Sequence, residues 1–519
     1  MKFCFHLQNT LPKLAWCAHI KPGNPVIDLF HGPGVHTMTD QWFFEGAWAG
    51  DFMQGAFDLA QVCMGTGGKI VDGNACFVSP THTLERLYVQ KTEAGAFISN
   101  SLAFLLCQSG TNMDPQYIFY LFDILSYRHG LQRYTRSLPT RTNHRVRLYY
   151  HCNINISKDL QVTELPKTLP PLFPNFSAYF TFLEESVSAI GFNAQSVERT
   201  HHFTPITTIS SGYDAPAAAV FAKKIGAQEA ILFPKARDRP VWFFMSSPPQ
   251  RLDESTGREI AKILGMRVVE YDRMAYLQKT GFPEAEFYAG GANVANVVMS
   301  PLENILSQKI FFTGFHGDGV WARTNTAVGP YLQRVGASGC GLSEFRLRLG
   351  FIHVPLPYFG AVRHESLYRL SNAEEMRPWR TNTSYDRPIP RRILEEAGVP
   401  GHLFGQHKNA IIVVTNFEGL KSRMTPGSYQ DFMRYFHRQH SFRIWKDLFI
   451  VNGLHYLYNV EHFLRSLLTS LEKRIGIKLP LPRMIPDSYK FFKGIQPLCF
   501  HWGIEKIKTR YTINQPQDH

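Results

Sequence analysis

The sequence offers no cysteine spacing that builds a metal site or a disulfide framework. Its eight cysteines stand singly at 4, 17, 63, 76, 107, 152, 340 and 499, with no Cys-x-x-Cys. There is no uninterrupted apolar span of roughly 20 residues and no charged-then-apolar leader. No helix-turn-helix, RNA-recognition or zinc-finger pattern occurs, and no internal repeat or low-complexity tract. These absences exclude a disulfide scaffold, a zinc module and a helical membrane span, and they predict a reduced, cytoplasmic protein. What is present is ordinary globular composition, 44% hydrophobic and 19% charged, over 519 residues, which is more than one core usually holds. The 40 phenylalanines and 22 tyrosines suit core packing. Net charge is +13, and from Met376 to His519 there are 22 lysines and arginines against 11 aspartates and glutamates. Such a surplus suits an acidic partner or nucleic acid, or forms a solvated face.

The stretch Thr207–Lys224, TTISSGYDAPAAAVFAKK, runs from a β-branched strand through a turn of small residues into an Ala-rich helix. Ser210, Ser211 and Gly212 carry little bulk, so main-chain N–H groups can approach phosphate oxygens at the positive end of a helix. Pro216 in the first helical turn sacrifices no hydrogen bond. A second segment, Lys309–Trp321 (KIFFTGFHGDGVW), reads as a buried strand ending at Thr313-Gly314, then a loop that presents Asp318 between glycines. At the carboxyl ends of parallel strands, Asp214 and Asp318 would supply paired hard oxygens suited to Mg²⁺ beside phosphate. Alternatively, Asp214 caps its helix and Asp318 shapes a turn.

Ser210-Ser211-Gly212-Tyr213-Asp214-Ala215 resembles the pyrophosphate-binding loop of the ATP pyrophosphatases, usually Ser-Gly-Gly-x-Asp-Ser. Thr313-Gly314-Phe315-His316-Gly317-Asp318 resembles the second signature of the asparagine synthetase and β-lactam synthetase branch, usually Ser/Thr-Gly-Glu-Gly-Ala-Asp-Glu. Leu342–Phe359 and Glu375–Ala410, with EMRPW, YDRPIPRRI and LFGQHKNA, are similar to the segments beyond the second signature in those synthetases, so the resemblance spans roughly 180–410. It implies ATP and Mg²⁺, bound through Ser210, Ser211, Gly212, Tyr213, Asp214, Thr313 and Gly314, with metal on Asp214 and Asp318. Past the second strand, Phe233–Arg239 adds Lys235 as a candidate phosphate cation. Catalytic candidates are Asp318, Arg387 and Lys408, Arg387 being the nearest cation to where the synthetases carry a lysine.

The departures are specific. Ser211 and Ala215 replace a glycine and a serine of the first loop, removing one hydroxyl donor. Phe315 stands where the synthetases have a glutamate, and an apolar ring moves no protons. The N-terminal runs Phe44–Phe52, Asn74–Val89 and Gly95–Leu106 resemble the N-terminal nucleophile domain that hydrolyses glutamine in asparagine synthetases. That chemistry needs a cysteine with a free α-amine, whereas the chain begins Met1-Lys2-Phe3-Cys4. A degenerate scaffold without glutaminase activity is therefore expected.

The expected fold is α/β: a nucleophile-like α+β sandwich over 1–165, a parallel-sheet adenine nucleotide α-hydrolase-like (ATP pyrophosphatase) domain over 177–430, and a helical basic extension over 431–519. The prolines at 166, 170, 171 and 174 mark the first boundary. Strands are expected at Pro205–Ile209, Glu229–Phe233, Met266–Tyr271 and Lys309–Thr313, with helices at Ala178–Ile190, Pro216–Ile225 and Asp253–Leu264. His437 and His440 have a spacing that metals use but read as surface helix. The leading expectation is an AMP- and pyrophosphate-forming ligase joining a small-molecule carboxylate to an amine. The alternatives are a non-catalytic nucleotide-binding or regulatory homologue and, from the basic tail, a tRNA-acting ATP pyrophosphatase.

Overall fold

Along Val26–His31, Ile27, Leu29 and His31 are buried while Val26, Asp28 and Phe30 are partly exposed, the period of two that seats a strand on one face of a core. The structure, a computed structural model, describes residues 1–513 apart from 235–256, 292–293, 335, 382, 384, 407–419, 440, 476–483, 487–488 and 490–492. Its N-terminal part contains two packed sheets and a short ribbon in which Ala47–Trp48 pairs with Cys63–Met64. One has seven strands in the spatial order Lys2–Leu7, Val26–His31, Trp16–Ile20, Gly95–Ser99, Leu87–Thr92, Arg145–Tyr149 and Ser137–Pro139. The other has six: Val162–Pro166, Cys152–Ile156, Asn74–Val78, Gly67–Val71, Trp42–Phe44 and His36–Met38. Between them Trp16 meets the Phe43 ring edge-on at 4.9 Å and stacks on Phe77 at 5.9 Å, joined by Phe3, Ile27 and Leu29. The proline-rich stretch that marks the expected boundary begins with a strand, because Val162–Pro166 pairs antiparallel with Cys152–Ile156. Pro166 ends that edge strand, a position proline tolerates.

The next helix, Phe176–Ala194, is capped by Asn175, whose side chain accepts from the Ala178 N–H. Five parallel strands then form the second layer: β1 (Thr204–Thr208), β2 (Glu229–Leu232), β3 (Arg267–Glu270), β4 (Lys309–Thr313) and β5 (Ile352–Pro355). Four match the apolar runs read from the sequence to within one residue at each end. Ile209, one residue past β1, still donates to Ile231 O at 2.9 Å, so the shift is a matter of where the ladder is cut. The helix expected from Asp253 is seen as Gly257–Ile263, its first residues lying outside the described ones. Helix α1 (Asp214–Lys224) begins two residues before Pro216.

Short helices α2 (Gly317–Val320), α3 (Ser343–Leu349) and α4 (Pro388–Glu396) come after β4 and β5. The last part holds α5 (Pro426–Gln439), α6 (Phe442–Ile475) and α7 (Cys499–Lys508). Helix α7 is tied to α5 and to the N-terminal part: Trp502 Nε1 donates to Asp431 at 2.9 Å, His501 reaches Tyr117 O at 2.8 Å, and Tyr511 just beyond stacks on Phe104 at 5.2 Å. One contiguous apolar core runs from Leu11 to Tyr511 through all these parts. Among the described residues no helix is long and apolar enough to cross a membrane.

Candidate functional site

The parallel strands lie in the order β3-β2-β1-β4-β5, so connections leave β1 toward one edge and β4 toward the other. That reversal opens a crevice at the carboxyl ends of β1 and β4, where ligands of open α/β sheets collect. Both signature loops emerge there. After β1, Ser210, Ser211 and Gly212 are partly exposed and α1 starts at Asp214, with Tyr213 as its cap and no side-chain capping bond. The carboxylate of Asp214 therefore sits in the first turn, not at the cap. After β4, His316 takes a left-handed φ of 76°, the turn that starts α2 and brings up exposed Asp318.

The two loops touch. A Cβ on Gly314 would lie 2.5 Å from the Ala215 nitrogen, and one on Gly317 would lie 2.4 Å from Asp214 Cγ. Glycine at both positions is what lets the second loop lie against the aspartate of the first. Arg387, just before α4, completes the convergence. Its guanidinium forms an ion pair with Asp214, is 4% exposed, and lies over the Tyr385 ring at 4.9 Å. Burial opposes the Arg387 charge, but Asp214, Tyr385 and Asp318 together hold its pKa above the ordinary value. Asp318 thus acts electrically on the same guanidinium that Asp214 binds. It also acts on Arg334, a buried cation held up mainly by Tyr127 and Tyr358 against its desolvation.

Several expected ligands are occupied otherwise. The Gly212 N–H, expected to face phosphate, donates to Ser210 Oγ at 3.2 Å, because a serine readily bonds the backbone two residues on. Gly405 N donates to Ser211 O at 2.9 Å, tying the loop to the segment after α4. Tyr213 is fully buried against Tyr385, Phe404 and Arg391, so its ring is core and not a phosphate ligand. Thr313 Oγ1 hydrogen-bonds His353 Nε2 at 2.9 Å. Phe315 packs edge-on against the same His353 ring at 5.6 Å, which explains an apolar residue at that position. Lys235, Lys408 and His440 lie outside the described residues.

Sequence reasoning missed Arg334, Tyr358, His316 and His353. Arg334 donates to Ser338 O at 2.9 Å and Tyr127 OH at 3.2 Å, and its guanidinium lies 5.7 Å from the Tyr358 ring centre. The local stretch 331–341 supplies Ser338 O, but the two rings that enclose the guanidinium, Tyr127 and Tyr358, come from distant segments that nothing in that stretch signals. Burial pushes His353 down to about 3 and takes His316 well below its usual range, so both imidazoles are neutral near pH 7. Tyr385 did lie inside the motif YDRPIPRRI, and its hydroxyl stands 3.5 Å from where a Gly212 Cβ would be.

Two other features stand apart. A cavity of about 290 Å³ is lined by Asn112, Arg141, Tyr435, His501 and Lys508 and by none of the crevice loops. On the outer face of the seven-stranded sheet, Cys4, His6 and Asp28 bring potential ligand atoms within 4.8 Å of one another. Asp28 is already bridged by His6 at 3.0 Å and Lys21 at 3.4 Å. Cys4 sits within the first strand, its nitrogen an amide, while the terminal amine of Met1 donates to Gly73 O. No protein family and no curated protein matches the chain.

Proposed function

We propose that the chain is an ATP-dependent ligase that activates a carboxylate as an acyl-adenylate, releasing pyrophosphate, and passes the acyl group to an amine. One observation carries this reading: the glycines of the loop after β4 press on Asp214 of the loop after β1, at the switch point of a parallel sheet. The substrate carboxylate oxygen attacks the α-phosphorus as the bond to the bridging oxygen of pyrophosphate breaks. The amine then adds to the acyl carbon, AMP leaves with its oxygen, and the amine proton is released.

The residues suit Mg²⁺. Asp214 and Asp318 offer hard carboxylate oxygens, and their two negative charges are matched by Arg387 and Arg334, so the pocket itself is near neutrality. An incoming triphosphate brings several negative charges that this pocket leaves unbalanced, and a divalent cation held by the two aspartates would offset two of them. Arg387 and the start of α1 contribute fixed positive potential where charge develops. His316 and His353 are held too low to be proton acceptors near neutral pH, and Phe315 has no proton to exchange, so the amine proton leaves to water or to a second substrate group.

Exchange of labelled pyrophosphate into ATP, run across a panel of carboxylates, tests the first half-reaction. Wild type should support exchange and Asp214→Asn should abolish it. Absence of both exchange and Mg²⁺-dependent ATP binding would remove the ligase reading. The Asp214–Arg387 pair and the Gly212–Ser210 bond favour a second reading, a nucleotide-binding homologue without turnover, because they satisfy the pocket with no ligand. ATP binding without AMP formation for any carboxylate would select it.

A further inference from the structure

Helix α6 (Phe442–Ile475) has 34 residues, about 50 Å at 1.5 Å per residue, and is apolar on two opposite faces. One face, with Ile444, Leu448, Val451 and Tyr458, is buried against the rest of the chain. On the other, Phe442, Phe449, Tyr456 and Phe463 recur every seven residues, with Trp445 and Leu471 in the same stripe. Phe442 is 85% exposed, Phe449 81% and Tyr456 68%. Scattered exposed hydrophobics are ordinary, whereas a stripe this long marks a binding surface.

Charge decides what covers it. The aromatic half of the stripe lies within a few residues of Arg438, Arg443 and Lys446, all exposed. Residues 431–519 carry 14 lysines and arginines against 7 aspartates and glutamates, and the whole chain is +13. A second copy would set these cations against their own kind. An anionic surface complements them. Aromatic side chains flanked by arginine and lysine on one helix face are the composition of a helix that lies in the interface of an anionic bilayer. The helix is not apolar enough to cross.

We propose that α6 seats the protein on anionic phospholipid, with Phe442, Trp445 and Phe449 inserted at the acyl boundary and Arg443 and Lys446 at the phosphates. The surface is independent of the nucleotide crevice. Sedimentation of the full chain with vesicles tests it, comparing phosphatidylcholine alone with phosphatidylcholine enriched in phosphatidylglycerol. The expected result is binding to the anionic vesicles only, falling as salt rises. The triple variant Phe442→Ser/Trp445→Ser/Phe449→Ser, with an unchanged circular dichroism spectrum, should bind at least about tenfold more weakly. Arg443→Glu with Lys446→Glu should weaken binding at low salt. Failure of wild type to pellet with anionic vesicles, or equal pelleting by the triple variant, would overturn the proposal. So would a concentration-dependent dimer that the triple variant converts to monomer, since it would assign the stripe to a second copy.

Discussion

Gly317 has no room for a methyl group, because a Cβ there falls 2.4 Å from Cγ and 2.5 Å from Oδ1 of Asp214. Gly317→Ala must therefore displace the aspartate or the loop. It is expected to lower stability by about 1–3 kcal/mol and to reduce ATP affinity at least about tenfold, as read by denaturation and equilibrium binding. Gly427→Ala is the control: nothing lies within 4 Å of its Cβ, and it lies in the first turn of helix α5, so it should be neutral or slightly stabilising. The Asp214–Arg387 pair makes a second test. Arg387 is 4% exposed but Asp214 is 19% exposed, so some water reaches the pair. Breaking it from either side should cost about 2 kcal/mol, below the range for fully buried pairs. Arg387→Met and Asp214→Asn should be strongly non-additive in urea denaturation, because each removes the same interaction. Additive losses would mean that each side chain is held by other groups.

Helix α3 latches the sandwich to the parallel sheet. Its Arg346, 2% exposed, binds both oxygens of Glu45 at 2.6 and 2.9 Å and pairs with Glu85 at 2.8 Å. Thr66 also donates to Glu45 through its backbone at 2.9 Å and its hydroxyl at 2.7 Å. Arg346→Met leaves two carboxylates buried without their cation and should cost about 3–5 kcal/mol. Burial, with Glu45 beside it, pushes the Glu85 pKa up despite Arg346. Neutral Glu85→Gln should therefore change stability far less than the arginine variant, and chemical denaturation of the two compares them. At this scale the sequence is uneven. Strands such as Lys309–Thr313 were legible because their apolar runs are short and bounded by turn residues. The latch was not: Glu45 and Arg346 are 301 positions apart, and although each lies in a stretch already singled out, nothing in either stretch names its partner. The crevice was half legible for the same reason: Asp214, Asp318 and Arg387 stand in recognisable loops, whereas Arg334 is positioned by Tyr127 and Tyr358 from distant segments.

Across the molecule, protonation couples all of these parts. His31, His36, His82, His151, His316, His353, His364 and His501 are held below the ordinary imidazole value, chiefly by burial. They come from the sandwich, the parallel layer and α7. His36, His151, His364 and His501 are taken down to about 4, and His353 to about 3. As pH falls below about 6.5 the unfolded chain binds protons that these buried rings refuse, so each withdraws stability, on the order of 1.4 kcal/mol per pH unit. Four buried carboxyls, Glu85, Asp123, Glu284 and Glu344, are raised by burial and act in the opposite sense, taking up protons in the folded state first. The imidazoles outnumber these carboxyls, and five of them are taken down to about 4 or 3, so the imidazoles set the direction across this range. Further acidification adds to the loss, because Asp28, Glu303 and Asp431 are held down by their cations and favour folding only while ionised. Stability should therefore fall steadily from about pH 6.5 toward pH 4, well before ordinary carboxylates are fully protonated. Urea midpoints measured across that range check it. Replacing His353 with Gln, which keeps a polar partner for Thr313, should make the decline shallower, and an unchanged slope would mean that this ring takes up its proton without unfolding the chain.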